Sequence, residues 1–222
     1  MTIRPRFASV VLDVDSTLTG IEGIDWLAAH RGEAVQLMVE ELTVKAMAGT
    51  MPLEQVYAQR LNAITPALAE MQTLGLAYRT HLAPGAKAAI ETMRAAGVRV
   101  VLVSGGLLPS IAPLGAALGF DPAEIHAVSV QNDHRGAFEG YDSESPLTRA
   151  YGKPKVVASL NLPHPILAVG EGFTDLEIRE GGACEAFAAF TGFVSREAVV
   201  DAADHAVATF DELVSLVLGE HP

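Results

Sequence analysis

Apolar residues follow two rhythms along this chain. Phe7, Val10, Val11 and Leu12 form a compact run with β-branched members, as in a strand covered on both faces. Similar runs recur at residues 98–104, 165–172, 184–190 and 206–210. Between them apolar positions return at helical spacing, predicting helices over residues 85–96, 106–118, 153–161, 174–179 and 195–203. A final helix ends at Leu218, with Asp211 as its expected cap. Such alternation predicts a mostly parallel sheet with helices on both faces. Residues 125–131 and 136–141 read as a small β-hairpin across Asn132-Asp133-His134-Arg135.

The interval after the first strand breaks this rhythm. Residues 20–80 hold no convincing strand, but helical spacing recurs: around Ile21–Ala28, over Glu33–Met47, over Leu53–Ile64 and over 66–81. The expected architecture is therefore an α/β core, discontinuous over residues 1–18 and 78–222, with a helical cap inserted at 19–77.

Composition narrows what such a fold does. The net charge of −12 and the scattering of fifteen Lys and Arg argue against nucleic acid, whose phosphates need clustered cations. No run of 18 uncharged apolar residues is present, so no membrane span is expected. The N-terminal MTIRPRF lacks an apolar signal region, and Cys184 is the single cysteine; both point to a reducing, cytoplasmic setting. An acidic protein that handles an anion must gather its cations locally, use helix N-termini or use a metal.

Three predicted strands end in polar, glycine-linked turns. The first carries Asp13 and Asp15, two apart, so both carboxylates emerge on one side at the sheet edge where α/β folds bind ligands. Such a pair serves metal binding, covalent attack, or attack by one and proton transfer by the other. The second turn is Ser104-Gly105-Gly106, which on this reading opens a helix and offers N–H groups to a phosphate. The third is Gly170-Glu171-Gly172-Phe173-Thr174-Asp175. Lys153 starts a predicted helix, an unfavourable place for a cation unless an anion lies nearby.

These segments together resemble the haloacid dehalogenase superfamily. Asp13-Val14-Asp15-Ser16-Thr17-Leu18-Thr19 looks like its first motif, DxDx(T/S), and Ser104, Lys153 and the Gly170–Asp175 stretch fall in order where its other three should. The insertion between the first and second motifs most resembles that of the phosphoserine phosphatase family. The resemblance implies a Rossmann-like core and an Mg²⁺-dependent hydrolase of a small phosphomonoester. Asp13 would be the nucleophile that forms an aspartyl-phosphate. Asp15 would be the general acid and base. The superfamily's dehalogenases lack an acid at that position and its ATPases carry Thr there. Ser104, the Gly105 N–H and Thr174 would touch phosphate, Lys153 would neutralise it, and Asp175 would support Lys153 or a metal-bound water. Mg²⁺ would be held by Asp13, the Asp15 carbonyl and Glu171. Glu171 stands where the family pattern, GDGxxD, usually has Asp.

Glu22 and Arg60 match positions at which that family holds an amino and a carboxyl group, implying phosphoserine as substrate and a place in serine formation. Met47 aligns with an apolar cap contact, and Leu53 stands where the family commonly has Phe. Arg196 is within reach of a substrate on this reading but is taken by default as a surface helix residue. The alternatives are another small phosphomonoester, or a weakly active phosphoryl-binding protein. The expected assembly is a monomer or homodimer.

Overall fold

The computed structural model describes residues 5–47 and 50–219. Its centre is a six-stranded sheet, every pairing parallel, in the order β3-β2-β1-β6-β7-β8. These strands are β1 (Ser9–Leu12), β2 (Arg99–Leu107), β3 (Ile125–Val128), β6 (Ile166–Gly170), β7 (Ala186–Phe190) and β8 (His205–Val207). β1, β6 and β7 are buried at every residue, so their continuous apolar runs face protein on both sides. β4 (Val130–Asn132) and β5 (Phe138–Tyr141) pair antiparallel as a separate hairpin.

Helices α1 (Gly23–Ala29), α2 (Glu33–Met47), α3 (Leu53–Ile64) and α4 (Leu68–Thr80) occupy the interval after β1. That interval leaves and returns at one place. Thr19 and Leu82 form an antiparallel bridge, flanked by Gly20 N–H to His81 O and Ala83 N–H to Leu18 O. The remaining helices are α5 (Ala86–Ala95), α6 (Leu108–Ala117), α7 (Gly152–Ser159), α8 (Phe173–Glu180), α9 (Glu197–Ala202) and α10 (Phe210–Leu218). α4 packs on α6, α5 on α10 and α7 on α8. The side chain of Met47 lies outside the described residues.

Three expectations change. The helix predicted from Gly106 begins at Leu108 instead, because β2 stays extended through Leu107. Val103 faces His126 and Leu107 faces Val128, so four steps on β2 span only two on β3. Ser104, Gly105 and Gly106 bulge out of the ladder between them. The run 125–131 is two strands rather than one: its first half is the edge of the main sheet, and it turns off after Val128, where β2 ends. Asp211 is not the cap of α10. Thr209 is, and its Oγ1 accepts from the Glu212 N–H at 3.2 Å.

β1 is the strand about which the sheet order reverses, where open α/β sheets form a ligand crevice. Leu12 is level with Leu102 on one side and Val169 on the other. Asp13, Ser104 and Glu171, one or two residues further on, therefore emerge along the same edge.

The cap assignment is testable by stability. Thr209→Ala should cost about 1 kcal/mol in denaturant unfolding, and Asp211→Ala only a few tenths.

Candidate active site

One cleft of about 190 Å³ at this edge gathers the ten residues expected to form the site: Asp13, Asp15, Glu22, Arg60, Ser104, Gly105, Lys153, Glu171, Thr174 and Asp175. Asp13 follows β1, and its N–H continues the ladder to Val169 O at 3.0 Å. Lys153, in the first turn of α7, reaches back to it. Its Nζ lies 2.8 Å from Asp13 Oδ1 and 2.5 Å from Asp175 Oδ1. All three side chains are under a tenth exposed. The cation at a helix N-terminus is thus answered by two carboxylates. Burial opposes the Lys153 charge, but Asp13 and Asp175 outweigh it and hold its pKa above the ordinary lysine value. Burial, then the Asp175 charge, raises Asp13 well above the usual carboxylate range against the pull of Lys153.

Asp175 sits in the first turn of α8 and also accepts the Gly172 N–H at 3.1 Å. Its carboxyl presses on the end of β6: a Cβ on Gly170 would stand 2.2 Å from Asp175 Cγ. Only glycine fits there, which accounts for the first glycine of the third turn.

Asp15 accepts from the Tyr78 hydroxyl at 2.5 Å and the Gly23 N–H at 3.1 Å, both on Oδ1. Burial lifts it to about 6, against these two hydrogen bonds. Glu22, just before α1, accepts from the Ser16 hydroxyl at 2.6 Å. Burial, then Asp15, raises Glu22 to about 7. Gly106 N–H bonds Ser104 Oγ at 3.0 Å, closing the bulge on itself, and the Tyr57 hydroxyl donates to Gly105 O at 3.0 Å. Arg60 donates to Asp25 Oδ1 at 2.5 Å, while its Nε is buried without a partner.

Glu171 follows β6. Its Oε2 is buried with no hydrogen-bond partner, and Oε1 lies 3.5 Å from an Arg196 nitrogen. Burial, then Asp175 and Glu22, raises its pKa to about 7 against Arg196. Among the described residues no group of three or more His, Cys, Asp or Glu side chains could hold a metal alone. Two carboxylates with a backbone carbonyl and waters nevertheless suit Mg²⁺. The orphaned oxygen of Glu171, in the same cleft as Asp13 and Asp15, fits a small hard cation.

Arg196 is not a surface helix residue. It is the N-cap of α9 and turns half-buried toward Glu171. Sequence reasoning also passed over Tyr57, Tyr78 and Asp25. Both tyrosines occupy apolar positions of helices, and nothing local signals that their hydroxyls end on Gly105 and Asp15.

A parallel sheet whose carboxyl edge joins a paired-aspartate turn, a buried lysine and an acidic third turn defines a hydrolase class. The haloacid dehalogenase-like hydrolase family model matches residues 10–178, and the chain belongs to that family. Its relatives include the chloroplastic phosphoserine phosphatase of Arabidopsis thaliana, 34% identical over 93% of this chain and 70% of that one. The phosphoserine phosphatase of Mus musculus is 33% identical over 96% of this chain and 95% of its own. Among solved structures, a phosphoserine phosphohydrolase-like protein from Francisella tularensis superposes with a TM-score of 0.82 at 24% identity, over 94% of this chain and 99% of that one. At that identity the likeness is one of fold.

Removing the shared cation should strand Asp13 and Asp175 beside each other. Lys153→Met should lower the unfolding free energy by about 3 kcal/mol in urea titrations. Lys153→Met/Asp175→Asn should lose less than the sum of the single losses.

Proposed function

We propose that the protein hydrolyses O-phosphoserine to serine and phosphate through an aspartyl-phosphate on Asp13. The observation that carries this reading is the sharing of one cleft. Asp13, Lys153 and Asp175 line it beside Glu22 and Arg60, a carboxylate and a guanidinium suited to an ammonium and a carboxylate. The relatives named phosphoserine phosphatase, 31–34% identical over most of the chain, support it.

In this reading Asp13 attacks phosphorus with the oxygen that Lys153 does not bind. Asp15 gives a proton to the departing serine alkoxide, then takes one from the water that cleaves the acyl phosphate. Ser104, the Gly105 N–H and Thr174 hold phosphoryl oxygens, and Lys153 offsets their charge. Asp175 keeps Lys153 aimed. Arg60 meets the substrate carboxylate with a buried Nε that otherwise has no acceptor, a costly state relieved by binding. Glu22 meets the ammonium. Residues 19–77 act as a cap that brings Glu22, Leu53, Tyr57 and Arg60 over the sheet edge. The Asp13 carboxylate, the Asp15 carbonyl and Glu171 would hold Mg²⁺. Bound there, Mg²⁺ supplies positive charge for the phosphoryl oxygens. The single cysteine suits a cytoplasmic enzyme.

Phosphate release from a panel of phosphomonoesters with Mg²⁺ tests the reading. Turnover that favours phosphoserine supports it; turnover that ignores phosphoserine points to another small ester, and none at all removes the enzyme. Asp13→Asn should reduce turnover below about a thousandth while leaving the circular dichroism unchanged. Arg60→Ala should reduce kcat/KM for phosphoserine by roughly tenfold to a hundredfold, but that for a carboxylate-free ester far less.

A further inference from the structure

Among the described residues Tyr78 is the largest fully buried side chain, and its hydroxyl does not end in the apolar core around it. It donates to Asp15 Oδ1 at 2.5 Å, and the Gly23 N–H donates to the same oxygen at 3.1 Å. Two donors converge on one oxygen of the carboxyl. The other oxygen faces the bulge of β2: a Cβ on Gly106 would lie 3.0 Å from Asp15 Oδ2. The chain also makes room for the hydroxyl. A Cβ on Gly23 would stand 2.0 Å from Tyr78 Oη, so residue 23 must be glycine for that contact to exist.

From this geometry we infer that Tyr78 is a positioning residue that divides the work between the two oxygens of Asp15. Oδ1 is held by two donors and stays an acceptor. Oδ2 is the oxygen that carries the proton, turned toward the Ser104–Gly106 bulge where the phosphoryl group would sit. The inference rests on the phosphomonoesterase reading and deepens it. In the first half of the reaction an Asp13 oxygen bonds to phosphorus and the bond from phosphorus to the serine oxygen breaks. The proton on Oδ2 passes to that departing oxygen. In the second half a water oxygen bonds to phosphorus, the Asp13–phosphorus bond breaks, and the water's proton returns to Oδ2. Tyr78 gives up no proton in either half. A carboxyl free to rotate about its last bond would present either oxygen, and proton transfer depends on that alignment.

Tyr78→Phe keeps the ring and removes only the hydroxyl. Its melting temperature should stay within a few degrees of wild type. kcat/KM for O-phosphoserine, whose alkoxide leaves only with a proton, should fall roughly tenfold. With 4-nitrophenyl phosphate, whose leaving group departs as a stable anion, the fall should be much smaller. Equal losses on both esters, or no loss on phosphoserine, would overturn the inference. A second comparison needs phosphoserine alone. Gly23→Ala should lower kcat/KM by forcing the hydroxyl away, and adding Tyr78→Phe should lower it no further, since the two act through one contact. Additive losses would overturn the inference while leaving the phosphatase intact. A wild-type protein that cleaves no phosphomonoester would remove the proposed function, and this inference with it.

Discussion

The Lys153 ammonium, buried between Asp13 and Asp175, is the interaction on which the rest of the site depends. Those residues stand 140 and 22 positions from it in the chain. They come from the end of β1 and the first turns of α7 and α8. Bringing two carboxylates that close in a dry place is unfavourable, and one cation placed between them offsets part of that cost. The constraint spreads outward. Gly170 must lack a side chain because Asp175 presses against it. Residues in α7 and α8 hold their helices together so that the ion triad can close.

The cleft remains acidic even so. Five carboxylates line it against three cations, of which Arg60 is engaged by Asp25 and Arg149 by Glu144. The crowding shows in the titration of its members: Asp15, Glu22 and Glu171 are all raised, burial acting first and neighbouring negative charge adding to it for each. Formal negative charge therefore outnumbers positive charge along the cleft. Glu171 shares in this crowding. Its Oε1 lies 3.5 Å from an Arg196 nitrogen, and its Oε2 is buried without a partner.

Much of this was legible in the sequence because it is local. Buried strands announce themselves as short apolar runs, and acidic turns stand directly after them. Glu33–Met47 and Leu53–Ile64 appear with the limits their periodicity predicts. What was not legible depends on partners. The extension of β2 through Leu107 exists because Val128 is there to pair with it, so a glycine pair that reads as a turn becomes a bulge. The split of the 125–131 run has the same cause. Tyr57 and Tyr78 carry a hydroxyl on an otherwise apolar ring, and periodicity registers the ring alone. Arg196 reads as solvated because its partner, Glu171, lies 25 positions earlier.

The bridge between Thr19 and Leu82 has a consequence for how this chain can change. It closes a loop of some sixty residues beside the turn that carries Asp13 and Asp15. The sheet is therefore indifferent to the length of what lies between. Closing a longer loop costs only logarithmically more, about 0.6 kcal/mol for each doubling. Evolution can lengthen or trim the helices of this interval while the strands of the sheet keep their register. The inserted helices and the sheet thus part company in the chain at one place, while α4 packs on α6 and Tyr57 and Tyr78 reach Gly105 and Asp15.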